Sequence, residues 1–466
     1  MLLEKSLIEK MIETALSTGG DFAEIYVEEK VSESISSVSG RIEKANSQKT
    51  YGVGVRIAHK LQSVYGYSNS KNPDVLIKLA SDLSKSFSDS VLTKAVPLGK
   101  LEVGKHHKVK ILPKDVSQAD KVLLIKRAYK AAKEYDELIQ QVMVSTSDSE
   151  QTVLIANSEG RYVTETRVRV RMGINAIAGK DGMMQTGFEG PGTGKGYEYF
   201  LENELDIEKV AREAARIAKT MLLAEDCPSG VMPVIINNEF GGVIFHEACG
   251  HSLEATSVAK NASVFCGKLG TKVASDLVTA IDDGTIENAW GSANFDDEGY
   301  PQQRRVLIDK GVLKSYMVDK LNSRRMDHLP TGSSRRESYR YSPTSRMSNT
   351  FIDNGKSTFD EIIAATEYGL FAAKMGGGSV NPGSGDFNFS VSEGYIVRNG
   401  KIAEPVRGAA LVGNGAEILL KIDMVGNNLD RSRGMCGSSS GSICADVGQP
   451  TIRVASITVG GKKGAK

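Results

Sequence analysis

Hydrophobic residues at the start of the chain recur every three to four positions and then change to a period of two. Apolar side chains between Leu3 and Leu16 have helical spacing, and Gly19 and Gly20 follow as a stop. From Phe22 onward apolar and charged residues alternate, as they do in a strand with one buried face. The pattern predicts a helix near 2–17, strands from 22 to about 67, and helices at 73–88 and 116–135.

The middle of the chain has the pattern of strands, followed by one amphipathic helix and a stop. Strands are predicted over 138–146, 152–157, 161–178 and 183–188, without the regular strand–helix alternation of a parallel sheet. Asp206 is a suitable N-cap for an apolar stripe at helical spacing, and Pro228 and Gly230 end that helix.

These patterns predict an α+β fold with two domains. The N-terminal α+β domain (1–225) has helices and a largely antiparallel sheet. The C-terminal domain (226–466) is rich in glycine and in strand patterns, with one important helix near 239–258.

Composition and charge exclude several classes of protein. The 466 residues are 40% hydrophobic and 25% charged, which is typical of a folded chain. The 58 basic and 57 acidic residues leave a net charge of +1, so no global field attracts nucleic acid. No stretch approaches the roughly 20 apolar residues that span a bilayer, and Glu4 and Lys5 lie where a signal peptide is apolar. We therefore expect a cytoplasmic protein that binds neither nucleic acid nor membrane.

The most informative segment for chemistry runs from His246 to His251 and holds two of the six histidines in the chain. Its H-E-x-x-x-H pattern is similar to the H-E-x-x-H pattern of zinc proteases, in which two histidines bind the metal and the glutamate, here Glu247, is the base. The extra residue sets the two histidines about 140° apart on a regular helix. They can share a metal where the helix widens into a π-type turn, and Gly250 permits such a distortion.

A third protein ligand is needed, with one position left open for water. Glu254 lies three residues after His251, and the five cysteines are further candidates: Cys227, Cys249, Cys266, Cys436 and Cys444. Their odd number in a long chain argues against a disulfide framework. Spacing does not choose among these ligands. The competing interpretation is a pair of buried or capping histidines beside a structural glutamate.

Several long segments, in the right order, resemble the TldD/PmbA metallopeptidase family, also called "modulator of DNA gyrase", and in particular its TldD branch. The resemblance extends over essentially the whole chain and is strongest after Met232. One departure is Ser438, which follows Gly437 where a lysine is expected. The segments are His246–Ala255, Pro330–Tyr339, Gly376–Val380, Ser392–Tyr395, Pro405–Ala409, Gly434–Gly437 and Val447–Pro450.

The resemblance implies a zinc-dependent metallopeptidase whose C-terminal domain carries the metal on the helix near 239–258. It implies His246, His251 and Cys436 as ligands of Zn²⁺ and Glu247 as the catalytic base. Glycines on both sides of Cys436 favour the same third ligand, because they let the backbone bring the sulfur to a metal. The implied substrates are unfolded or flexible peptides, including modified peptide precursors. The implied partner is a PmbA-type paralogue in a heterodimer, or a second copy in a homodimer.

Two further segments are candidates for substrate binding. Residues 324–346 contain six arginines and two acidic residues, and Arg335, Arg336, Tyr339 and Arg340 are candidates to contact substrate or to stabilise the oxyanion. Gly376, Gly377 and Gly378 offer backbone that an extended peptide can approach closely. Tight turns of a β-rich domain explain the same glycines equally well.

Two alternative functions remain open from the sequence. A non-catalytic scaffold or regulatory binding protein has no need of His246, Glu247 and His251 together. A zinc hydrolase that does not cleave proteins, such as an amidase, uses the same set of residues.

Overall fold

The computed structural model describes residues 2–102, 105–202, 204–381 and 383–462. Up to residue 223 the helices are α1 (Lys5–Leu16), α2 (Pro73–Ser84), α3 (Gln118–Lys133), α4 (Glu198–Leu201) and α5 (Ile207–Leu223). The strands of this half are β1 (Phe22–Val38), β2 (Arg41–His59), β3 (Gln62–Ser68), β4 (Gly99–Lys100), β5 (Ile139–Asn157), β6 (Arg161–Lys180), β7 (Met183–Glu189) and β8 (Gly192–Thr193).

One eight-stranded sheet organises this N-terminal half. Its strands run in the order β3-β2-β1-β5-β6-β4, and β7 and β8 also pair with β6. The long strands β1, β2, β5 and β6 pair antiparallel along almost their whole length. Helices α1 and α2 cover one part of the sheet, and α3 and α5 cover another, so that two separate hydrophobic cores form.

The C-terminal half is built mainly from strands. They are β9 (Glu225–Asp226), β10 (Gly230–Ile236), β11 (Ala280–Asp283), β12 (Arg304–Asp309), β13 (Val312–Leu313), β14 (Ser334–Arg335), β15 (Thr344–Ser345), β16 (Asn349–Ile352), β17 (Tyr368–Val380), β18 (Asp386–Arg398), β19 (Lys401–Arg407), β20 (Ala410–Asn414), β21 (Ile422–Val425), β22 (Asp430–Ser438), β23 (Gly441–Gln449) and β24 (Ile452–Gly460). The α-helices are α6 (Val243–Phe245), α7 (Ala255–Val258), α8 (Lys320–Met326), α9 (Phe359–Ala364) and α10 (Gly415–Ile418).

Five strands of this half close into a barrel. The pairing runs β17-β10-β24-β20-β18, and β18 pairs with β17 again to complete the ring. A second, six-stranded sheet has the order β13-β12-β11-β16-β23-β22 and ends in the antiparallel β22–β23 hairpin. The barrel strands and the helical segment that begins at Glu239 contribute to one large hydrophobic core.

Buried ion pairs join the two halves. Arg56 of β2 lies 2.9 Å from Glu24 of β1 and 2.5 Å from Glu298 in the C-terminal half. Arg167 of β6 lies 2.7 Å from Asp297. Removing either partner of such a pair would leave an unpaired buried charge at the junction, which is strongly destabilising.

The fold agrees with the predicted α+β class and its largely antiparallel sheets. Asp206 caps α5 as predicted, accepting a hydrogen bond from the Lys209 amide at 2.8 Å. The strands predicted at 138–146 and 152–157 form one continuous strand, β5, because β6 pairs antiparallel with it in one register from Gln141 to Ala156. In the described part of the chain, no helix is long and apolar enough to cross a membrane.

Candidate metal centre

The segment that carries both histidines is a series of short helical turns. It consists of a 3-10 turn (Glu239–Gly242), α6, a π turn (His246–Gly250), a second 3-10 turn (His251–Leu253) and α7. The single helix predicted near 239–258 is therefore wrong in detail, because Glu254 adopts an extended backbone that breaks it. The π turn is the distortion that a five-residue spacing requires, and it brings the two imidazole centroids to 5.1 Å.

Glycines let this segment pack closely against other parts of the same polypeptide. A Cβ added at Gly250 would lie 2.2 Å from the sulfur of Met347. A Cβ at Gly242 would lie 2.3 Å from the backbone nitrogen of Gly448, which belongs to β23. The histidine segment and the β22–β23 hairpin therefore approach each other more closely than any side chain would allow.

Cys436, on β22, reaches the histidines across this contact. One ligand atom from each of His246, His251 and Cys436 lies within 4.8 Å of the others. The Sγ of Cys436 is 3.3 Å from the Nε2 of His251. Tetrahedral zinc with ordinary Zn–N and Zn–S lengths separates two such ligand atoms by about 3.6 Å, so the observed spacing fits a shared metal.

Two carboxylates flank His251 from different sides. Glu254 Oε2 is 3.2 Å from Nδ1 of His251, which leaves Nε2 of that ring to face Cys436. Glu247 Oε2 lies 3.7 Å from Nε2, and its side chain is 27% exposed, against 6% for Glu254. Glu254 therefore orients the ring, whereas Glu247 has solvent access beside the ligand atoms.

The electrostatic surroundings favour a thiolate at Cys436. Burial acts to raise the pKa of this thiol, but the charge of His246 and the hydrogen bonds from His246 and His251 outweigh burial and lower the pKa to about 3. Burial acts to lower the pKa of His251, and Glu254 together with Cys436 raises it well above its ordinary value. Thiolate is the form of cysteine that binds metals.

The donor set fits a metal ion on a further ground. The Nδ1 atom of His246 is buried without a hydrogen-bond partner in the part of the chain that the structure describes. A buried ring nitrogen without a partner is costly, and a metal ion bound through it would remove that cost. Two imidazoles and one thiolate are the ligands that Zn²⁺ commonly takes.

The competing candidates for a third ligand lie elsewhere or have other partners. Cys249 faces the barrel core, where its sulfur is 3.4 Å from the Gly415 carbonyl oxygen and burial raises its pKa. Cys444 lies opposite Met435 on the hairpin, with its sulfur 3.8 Å from that of Met435. Glu254 bonds to His251 rather than taking a place among the three clustered atoms.

Two of the three candidate glycines line a cavity between the halves. Gly376 and Gly377 of β17 border a cavity of about 590 Å³, together with Met435, the neighbour of Cys436. The other wall comes from the N-terminal half and includes Phe188 and Tyr199. Gly378 packs against the ring of Phe389, where an added Cβ would lie 2.1 Å away.

Two residues of the arginine-rich segment are placed differently from the prediction. Arg336 is fully buried and pairs with Glu24 at 2.5 Å. Tyr339 is 3% exposed, and its backbone amide donates to Glu28 at 2.8 Å. These contacts give both residues a structural role at the junction of the halves, which differs from the predicted contact with substrate. Arg335 donates to the Met347 carbonyl at 2.8 Å, and its burial lowers its pKa to about 10.

Arg346 is a residue that sequence reasoning did not single out. Its side chain is fully buried, and it donates to the backbone carbonyl of Cys436. In the sequence it is one of six arginines in 324–346. Nothing in the spacing distinguishes it from the other five, since its partner is 90 residues away.

Three family models match consecutive parts of the chain. They are described as the PmbA/TldA metallopeptidase domain 1 (residues 23–87), central domain (111–222) and C-terminal domain (229–461). The last of these alone covers half of the chain and contains the whole candidate metal centre. The chain therefore belongs to the PmbA/TldD family of metallopeptidases.

Among named relatives, the chain is similar to the metalloprotease TldD homolog of Buchnera aphidicola, with 37% identity over 95% of this chain and 93% of the other. It is 35% identical to a metalloprotease of Methanocaldococcus jannaschii, over 97% and 99% of the two chains. The crystal structure of a Thermotoga maritima protein, described as a candidate modulator of a DNA gyrase, shares the fold with a TM-score of 0.81 and 21% identity, over 98% and 100% of the chains.

Proposed function

We propose that this protein is a zinc-dependent metallopeptidase that hydrolyses unfolded or flexible peptides, including modified peptide precursors. In this proposal His246, His251 and Cys436 hold the zinc, and Glu247 is the general base. The observation that carries it is the convergence of three ligand atoms within 4.8 Å, with an accessible carboxylate 3.7 Å from one of them. Membership of a metallopeptidase family supports the same reaction class.

Bound zinc would supply a Lewis acid that polarises the scissile carbonyl and makes a water molecule more acidic. Glu247 would accept a proton from the attacking water and pass it to the amine nitrogen as the peptide bond breaks. Its position beside His251, with its side chain 27% exposed, suits a group that must meet both water and substrate. Glu254, which is nearly buried, would keep the His251 ring in the orientation that leaves Nε2 free for the metal.

The proposed preference for flexible peptides is supported by the position of the cavity between the halves. The cavity is bordered by backbone at Gly376 and Gly377, and a Cβ added at Gly377 would meet open space. An extended chain can enter such a space and lie along exposed backbone, whereas a folded domain is too wide.

Three further parts of the proposal rest on the sequence and on the family resemblance. The chain would divide into domains 1–225 and 226–466, act in the cytoplasm, and work as a homodimer or with a PmbA-type paralogue. Light scattering of the purified chain, alone and with such a paralogue, tests the last part. A fully active monomer at micromolar concentration would contradict it.

Metal analysis combined with peptide digestion tests the proposed function. About one zinc per chain should co-purify, and an unstructured peptide should be cleaved while a folded protein of similar length is not. A chelator should stop cleavage, and added zinc should restore it. Binding of peptide without cleavage, unaffected by chelator, would favour a scaffold. Hydrolysis of small amides without cleavage of any peptide would favour an amidase.

A further inference from the structure

Arg346, which directly follows β15, is a buried cation directed at the hairpin that carries Cys436. Its side chain is fully buried. Besides the Cys436 carbonyl, its guanidinium donates to Ser440 Oγ at 2.9 Å and to the Gly441 carbonyl at 3.0 Å. The three acceptors span the turn of the β22–β23 hairpin, so one planar group fixes the strand position of Cys436.

The other edge of the same guanidinium faces Glu254. The Nε of Arg346 lies 4.0 Å from Glu254 Oε1. Both atoms are buried, and neither has a hydrogen-bond partner within the described ranges. Buried polar atoms left unpaired are costly. The positive Arg346 and the negative Glu254 therefore stabilise each other, either directly or through one bridging water.

These contacts connect two ligands that come from distant parts of the chain. Glu254 holds Nδ1 of His251 at 3.2 Å, and Arg346 holds the carbonyl of Cys436. The series of contacts runs from His251 through Glu254 and Arg346 to Cys436. The sulfur of Cys436 lies 3.3 Å from Nε2 of His251, which closes the loop. A closed loop of this kind sets the separation of the two ligand atoms before any metal arrives.

We propose that Arg346 is a positioning residue that, through Glu254 on one side and the Cys436 carbonyl on the other, fixes the distance between the His251 and Cys436 ligand atoms. Arg346 touches neither substrate nor the reacting atoms in this scheme. A lysine at this position would supply a point charge that reaches one partner, but not the planar fork that reaches both. The inference rests on the proposed metal site and extends it.

The test measures metal affinity by competition with a chelator, and the visible absorption of the Co²⁺-substituted protein, whose bands report the ligand geometry. Wild type, Arg346→Met, Arg346→Lys and Glu254→Gln are compared. Loss of a group that orients metal ligands typically weakens affinity by about 10–100-fold. We expect Arg346→Met to fall in that range with an altered Co²⁺ spectrum, and Arg346→Lys to recover part of the affinity.

Arg305→Met is the matched control. Arg305 is also buried in the C-terminal half and pairs with Asp282, while donating to the Thr331 carbonyl. It should lose stability, as Arg346→Met does, and keep the wild-type metal affinity and spectrum. If Arg305→Met weakens metal binding as much, or if folded Arg346→Met binds Co²⁺ as wild type does, the positioning role is refuted.

A double-mutant cycle covers the case in which Arg346→Met does not fold. Arg346→Lys and Glu254→Gln should be strongly non-additive in metal affinity, because each breaks the same connection. Additive losses would overturn the inference. Wild-type chain that binds no metal at all would instead defeat the proposed function, so the two failures are distinguishable.

Discussion

The π turn that joins the two histidines should be sensitive to a single added methyl group at Gly250. In Gly250→Ala the new Cβ would lie 2.2 Å from Sδ of Met347, whose side chain is fully buried. Forcing extra volume into such a site costs roughly 1–3 kcal/mol. The preference of alanine over glycine for helical backbone offsets about 0.5–1 kcal/mol of this. The net strain is then roughly 0–2.5 kcal/mol, and about 1.3 kcal/mol at the middle of both ranges.

Because Met347 is itself fully buried, we expect the strain to shift the turn and to displace His251 relative to Cys436. Restoring the ligand geometry on metal binding then costs about the same free energy, so the zinc dissociation constant should rise roughly tenfold. Chelator competition measures it. Gly460→Ala is the control, because its Cβ would lie 3.7 Å from the nearest atoms. Unchanged affinity in Gly250→Ala would refute the claim that this close packing shapes the site.

Other predictions concern the thiols and the response to acid. Cys436→Ser should lose zinc and peptide cleavage, whereas Cys249→Ser and Cys444→Ser should keep both. Zinc retained by Cys436→Ser would show that Cys436 is not the third ligand. Burial, followed by the charge of Arg169, lowers the pKa of His107 to about 3. Between about pH 6.5 and 3 only the unfolded chain then takes up this proton, so stability should fall on acidification by up to about 1.4 kcal/mol per pH unit. The urea midpoints of unfolding at pH 7 and pH 5 should differ less in His107→Asn than in wild type. An equal difference in both proteins would contradict this prediction.

Local features of the fold could be predicted because they depend on neighbouring residues. The helix that begins after Asp206 and the distortion between His246 and His251 follow from spacing and side-chain type. The closure of the barrel could not be predicted in this way. It depends on pairing of β17 with both β10 and β18, and β10 is more than 130 residues away from β17 in the sequence.

The residues of the candidate site also differ in whether the sequence predicts them. Residues within one short segment were predictable as a group, and the family resemblance added Cys436. The connection through Arg346 was not predictable, because a buried arginine and a solvent-exposed one have the same sequence pattern. The same limit applies to Arg336, because its basic sequence segment predicts contact with substrate although its side chain is buried against Glu24.

Peptide cleavage by metal-loaded Glu247→Gln tests the central claim most directly. The amide keeps the shape of the glutamate but cannot accept a proton, and general-base catalysis typically contributes about 10²–10⁴-fold. With one zinc per chain verified in both proteins, the account predicts that the variant cleaves an unstructured peptide at least about 100-fold more slowly than wild type. Cleavage at the wild-type rate by the fully loaded variant would contradict it.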